Sequence, residues 1–307
     1  MYVDRSDSAS QIFQKAGLTM DLNRTVPRLC ALTTAALTLI AVILRTVAML
    51  TSFDAEIGYF DPSVSVTLNH ALYFVTAALL IAAACFIPRG ALPRELNALP
   101  ARTPLSVLVG LVLAAFTVAA FILCAPTAQE LTPDPKGRLI LAPILLGLPA
   151  AVYFLLSANR NGRYSDALGL AGFLPALWCV SGIAELYFDQ FVTMNSPVKV
   201  SLHLGLLGFL FITLFELRFR IGRSLPRVAV VLFGMGSFTC LNASIPLLIA
   251  TGAKVLDHRM HMLYAAVLLA AGLYGLCLLF GCCYAAPAEA VTPEAAPSPT
   301  EAPDNDV

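Results

Sequence analysis

Apolar residues in this chain come in long unbroken runs separated by short polar stretches. Eight runs can be marked: Leu29–Leu50, Thr67–Ile87, Leu105–Ala125, Leu139–Ser157, Ala167–Tyr187, Val200–Leu217, Val228–Ala250 and His261–Cys283, each of 18 to 23 residues. An α-helix rises about 1.5 Å per residue, so about 20 residues cross the ~30 Å hydrocarbon core of a bilayer. Inside lipid every backbone polar group must be bonded within the protein, which leaves helices and closed barrels. Barrel strands are only about 10 residues long and alternate in polarity. The pattern therefore predicts an all-α integral membrane protein with eight transmembrane helices. Composition agrees: 58% of residues are hydrophobic and 12% charged, against about 25% charged in soluble domains. The first run lies behind a 28-residue polar segment and is long enough to span, so it reads as a retained helix and not a cleaved signal.

The charges fix the threading. Thirteen Lys and Arg residues fall on one side: Arg5, Lys15, Arg24 and Arg28 before the first run, then Arg89, Arg94, Arg102, Arg160, Arg163, Arg218, Arg220, Arg223 and Arg227. Five fall on the other: Lys136, Arg138, Lys199, Lys254 and Arg259. The positive-inside rule then expects both termini in the cytoplasm of a bacterial plasma membrane. The balance of 19 basic and 19 acidic residues gives no reason to expect nucleic acid as a partner. The expected environment is the lipid bilayer, with another membrane protein or a second copy of the chain as further candidates.

An internal likeness organises the runs. Residues 89–95 read RGALPRE and residues 222–228 read GRSLPRV. His70 precedes the first Leu-Pro-Arg proline by 23 residues, and His203 precedes the second by the same distance. Upstream, Phe53-Asp54 matches Phe188-Asp189, each closing an apolar run. This predicts two parallel four-helix repeats, residues 29–157 and 158–284, related by a pseudo-twofold along the membrane normal, as repeated halves are in transporters. Residues 1–28 form a cytoplasmic lead segment. Residues 285–307, rich in Ala, Pro and acid, have the composition of a disordered cytoplasmic tail. The two Leu-Pro-Arg motifs are expected to end helices, because proline lacks the backbone donor, and to leave Arg94 and Arg227 among headgroups.

Residues that break the membrane pattern mark the candidate chemistry. Thr34, Thr38, Ala41 and Arg45 share one helix face by their 4-3-4 spacing. Arg45 lies inside a span, where it would either pair with Glu185 or extend to the headgroups. Glu216 has Arg218 and Arg220 nearby and suggests a structural ion pair. The threading places all four histidines in the outer half, with His70 and His203 at equivalent places of the repeat. Asp257, His258 and His261 form a weak candidate metal group, short of a full ligand set, and no cofactor is implied. The acidic, aromatic first loop (Asp54, Glu56, Tyr59, Phe60, Asp61) would line an outer vestibule or form an interfacial belt. The run with Gly234, Gly236, Ser237, Thr239, Asn242, Ser244 and Pro246 is the most polar, from close helix packing or a broken helix. Pro175, with Gly169 and Gly172, invites the same pair of readings.

The candidate ligand or ion site is thus Arg45, His70, Glu185, His203 and Asn242. Eight cysteines without a CxxC pair give no zinc or redox signature. Zincin, nucleophile-elbow and phosphate-loop motifs are lacking, so no enzyme is expected. The leading expectation is a small-solute or ion permease with an outward-facing polar site. The alternative is a non-transporting sensor or accessory subunit, with an intramembrane enzyme ranked last.

Overall fold

The computed structural model describes residues 6–54, 57–87, 92–93, 102–124, 135–158, 166–188, 196–256 and 258–284. Almost all of them are helical: α1 (Ser6–Thr51), α2 (Val64–Phe86), α3 (Arg102–Cys124), α4 (Pro135–Ala158), α5 (Asp166–Ala171), α6 (Phe173–Phe188), α7 (Pro197–Arg220), α8 (Pro226–Gly252) and α9 (Arg259–Tyr284). Eight segments are long and apolar enough to cross a membrane, with α5 and α6 sharing one of them, Ala167–Phe188. The chain is a multi-pass α-helical membrane protein. Helix α1 already begins at Ser6, so the polar lead runs into the first span without a break in the backbone. The tail from residue 285 and the acidic loop residue Glu56 lie outside the described residues.

Contacts between helix ends define two faces. Arg45 near the end of α1 reaches the carbonyl of Pro197 at the start of α7. Arg28, near the start of the apolar part of α1 (Thr25–Thr51), lies over the ring of Tyr284 at the end of α9, 5.2 Å from its centroid. One face, the hairpin face, carries two short antiparallel strands that the apolar pattern did not show. They are β1 (Phe53–Asp54) and β2 (Tyr59–Phe60), with Phe53 opposite Phe60. Gly58 takes φ 77°, a left-handed turn conformation that glycine adopts without steric cost. The opposite face carries the α7–α8 turn and is rich in arginine.

Helices α8 and α9 form the centre. Of the apolar window of α8, 72% is buried, against 22% for α2. Helix α8 packs on α1, α2, α7 and α9, while α3 packs on α4 and α9, and α4 on α6. Large apolar side chains such as Leu39, Ile43, Phe74, Phe121, Leu145 and Leu170 point outward, as lipid contact requires. The pairs α1–α2 and α6–α7 both pack, as do α3–α4 and α8–α9. The likeness stops there: α7 runs along α8, whereas their expected counterparts α2 and α3 are not close neighbours. Two equivalent four-helix halves are thus not confirmed by the neighbour relations of the described residues, in which α8 takes the centre and α3 does not.

Small residues set the central spacing. A Cβ built on Gly236 of α8 would meet the carbonyl oxygen of Gly208 on α7 at 2.7 Å, so the two backbones touch there. Ser237, Thr239 and Ser244 return their hydroxyls to carbonyls of α8 itself (Phe233, Gly236 and Leu241). Helix α8 is therefore continuous, and its small residues serve packing. The break occurs instead at Gly172, between α5 and α6, where a Cβ would meet Leu217 Cδ1 at 2.6 Å. It lies near the arginine-rich face, not at mid-depth. The second Leu-Pro-Arg motif also differs from expectation: Leu225 is the N-cap of α8 and Pro226 its first residue. There the missing N–H costs nothing, since first-turn donors have no intrahelical partner. Helix α7 has already ended at Arg220, with Gly222 at φ 75° and the Arg223 N–H donating to the Arg218 carbonyl.

Replacing Gly236 with Leu should destabilise the bundle by about 1–3 kcal/mol or more, the range for overpacking, because the opposing atom is backbone. Gly252→Ala, with nothing within 4 Å of the added Cβ, should leave stability unchanged. Unfolding of both variants in detergent measures the difference.

Candidate functional site

The face predicted for α1 is observed: Thr34, Thr38, Ala41 and Arg45 are all buried. The threonine hydroxyls bond back to carbonyls one turn earlier, Thr34 to Cys30 and Thr38 to Thr34, each at 2.7 Å. That leaves Arg45 as the group on this face that must look beyond its own helix. It lies six residues before the end of α1, about 9 Å along the axis, and is 6% exposed. Its Nη2 donates to the Pro197 carbonyl at 2.9 Å, and its guanidinium lies 5.7 Å from the Phe60 ring centroid. Neither expected arrangement is found. The Arg45 guanidinium turns into the protein, and it forms no ion pair with Glu185. The start of α7 brings a backbone carbonyl to the guanidinium, and the hairpin covers it. Phe53 and Phe60 meet edge to face at 5.3 Å, and Ser196 Oγ donates to the Gly58 carbonyl. The first loop thus acts as a cover here.

Asn242 is fully buried on α8 and joins a network that sequence reading only half identified. Its Nδ2 donates to the Tyr73 hydroxyl oxygen at 2.8 Å and, at 3.4 Å, to Oδ1 of Asn69. Asn69 Nδ2 donates to the Ala41 carbonyl at 2.8 Å and to Asn242 Oδ1 at 3.3 Å. Three helices, α1, α2 and α8, are joined by these amides. His70, selected from the sequence, is exposed, while its neighbour Asn69 is 2% exposed. The signal was present as helical spacing: Asn69, Tyr73, Thr76, Leu80 and Ala84 follow 4-3-4-4 steps, and all but the partly buried Tyr73 are buried. His70 is one position, about 100°, off that stripe.

A second group gathers around α6, α7 and α9. His203 is half-buried, with Nδ1 2.9 Å from the Lys199 carbonyl and Nε2 3.2 Å from the Ile183 carbonyl. It clasps α7 to α6, in a setting unlike that of His70. Glu185 and Lys199 are both buried nearby on these helices, and Lys199 and His261 lie within electrostatic reach of the His203 ring. His258 and His261 stack face to face, with centroids 3.9 Å apart and planes at 21°. Stacked rings do not converge their nitrogens on one point, and no metal-ligating group of three exists among the described residues. Asp257 lies outside them.

Towards the arginine-rich face the interior turns aromatic. Trp178 is edge-on to Phe116 at 5.3 Å and to Phe209 at 6.1 Å, and Phe154 meets Phe209 and Tyr274 at 6.0 and 5.9 Å. Beyond this layer Glu216 accepts from Nε and Nη2 of Arg220 at 3.0 and 2.9 Å, both residues being buried. The ion pair expected there is present, through Arg220; Arg218 turns to the Arg223 carbonyl. A groove of about 290 Å³ between α4 and α5–α6, walled by Leu148, Val152, Leu168 and Leu174, is apolar and remote from both polar groups. Comparison with protein-family models, curated proteins and solved structures gives no match to this chain.

If the amide pair ties α2 to α8, Asn69→Ala and Asn242→Ala should each destabilise the protein. Their double-mutant cycle should return a coupling of about 0.6–2 kcal/mol, the range for interhelical polar contacts in membranes. Strictly additive effects in reversible unfolding would show that the amides act separately.

Proposed function

We propose that this protein binds a small solute or ion at a polar site on the hairpin face, and that it works as a non-conducting membrane sensor or accessory subunit. The observation that carries this reading is the depth profile of polar groups. Arg45, Asn69, Tyr73, Asn242, Lys199, His203 and Glu185 all lie in the half towards the hairpin. Below them the interior is filled by the packed aromatic layer around Trp178. Ions and polar solutes crossing such a layer would lose hydration without replacement partners. In this proposal the arginine-rich side is cytoplasmic, by the positive-inside rule. The membrane is the bacterial plasma membrane, both termini are cytoplasmic, and the hairpin faces outward. The role is non-catalytic. It draws nothing from a pseudo-twofold path between repeated halves.

A second reading, an outward-open permease stage, is favoured by one feature. Pro246 in α8 and the interruption at Gly172 are places where helices can bend.

The two readings separate in reconstituted vesicles. The sensor reading expects no solute or ion flux above protein-free vesicles, together with a stoichiometric membrane partner recovered by cross-linking in cells. A flux that Arg45→Ala and Glu185→Ala abolish would establish the permease reading instead.

A further inference from the structure

Donors outnumber acceptors in the cluster below the hairpin. A guanidinium has five N–H donors and no acceptor capacity. Those of Arg45 meet one described acceptor, the Pro197 carbonyl, beside the face of Phe60. No carboxylate among the described residues lies within ion-pair distance of it. Among the described residues this 6% exposed cation thus meets one acceptor and no counter-ion. An unpaired buried charge costs several kcal/mol, so a negative partner would be strongly favoured there.

Tyr73 supplies an independent observation. The Ala41 carbonyl can only accept, so it orients the Asn69 amide with its NH2 towards α1. The Asn69 oxygen then faces Asn242, and the Asn242 NH2 in turn donates to the Tyr73 oxygen. The polarity of the chain is set from one end. At the other end the Tyr73 hydroxyl hydrogen has no acceptor among the described residues. The ring is held edge-on to Phe238 at 5.0 Å, one turn along α2 from Asn69, whose amide meets α1 at Ala41, one turn before Arg45. The start of α7 adds the same sign: its first N–H groups have no side-chain cap, and a helix N-terminus is positive.

We propose that Arg45 and Tyr73 hold a small oxyanion at the junction of α1, α2 and the start of α7, under the hairpin. The planar guanidinium fork matches two oxygens of one group, a geometry shared by free carboxylates and lipid phosphates. The site is the one invoked above for sensing, so this inference rests on that reading and gives it a ligand class.

The test uses the full chain, purified in a neutral maltoside detergent, with acetate as probe and acetamide as its uncharged analogue. Acetate should raise the unfolding midpoint saturably, and acetamide should not. Tyr73→Phe, which removes one hydroxyl, should weaken acetate about tenfold, in line with one hydrogen bond to a charged group. Arg45→Gln should abolish the effect. A parallel arm places the protein in phosphatidylcholine nanodiscs with and without phosphatidylglycerol. Stabilisation by the anionic lipid alone, lost in Arg45→Gln, supports the same oxyanion chemistry and assigns it to a headgroup. Acetate binding that survives both substitutions, or no response to acetate or phosphatidylglycerol, overturns the proposal. Binding of acetamide that depends on Arg45 would sustain the outward site and reject its preference for anions. If no probe binds and Arg45→Gln unfolds like the parent, the outward site falls as well.

Discussion

Every polar group that this chain carries into the hydrocarbon must find its partner inside the protein. Several threonine and serine hydroxyls, among them Thr34, Thr38 and Ser237, meet that demand locally by returning to a carbonyl of their own helix, while Ser106 of α3 donates to the Phe154 carbonyl of α4. Glu216 meets it with Arg220, one turn away. Arg45, Asn69 and Asn242 cannot, because their functional groups outreach their own turns. Arg45 ties α1 to the start of α7, and a turn deeper the two amides tie α1, α2 and α8 together. The hairpin follows from the same demand, since without Phe60 and the Gly58–Ser196 contact the guanidinium would open to the hairpin side.

The rest of the bundle packs by shape. Glycines on α7, α8 and α9 let backbones approach, and association in lipid relies on such close contacts, because lipid tails are as apolar as leucine. This explains why α8, the most polar span, lies at the centre: the hydroxyls of Ser237, Thr239 and Ser244 are spent on its own carbonyls, Asn242 is met by α2, and its small residues are what neighbouring helices use. The aromatic layer around Trp178 fills the wider space between α3, α4, α6 and α7.

Much of this architecture was legible in the sequence. Run length gave the eight spans, because hydrocarbon thickness imposes it, and the 4-3-4 spacing gave the buried face of α1. Neighbour relations were not legible, since a leucine facing lipid and one facing a helix look alike. The matching landmarks around His70 and His203 therefore suggested equivalent halves, although α8 is central and α3 is not. His70 drew attention by its chemistry, yet the helical period points to Asn69. The role of Pro226 was inverted because proline both follows a helix and opens one, and only the turn at Gly222 shows which. The hairpin is too short for a pattern of alternation to register.

The environment of one guanidinium, that of Arg45, decides whether the donor-rich site exists. Dipolar recoupling by solid-state NMR in lipid vesicles measures it, with 15N in the arginine side chains and 13C at the Pro197 carbonyl and the Glu185 carboxyl carbon. Strong dephasing between Arg45 Nη2 and the Pro197 carbonyl, matching the 2.9 Å N–O contact, is the expected result. Dephasing onto the Glu185 carboxyl instead would show an ordinary ion pair, and the donor-rich site would not exist.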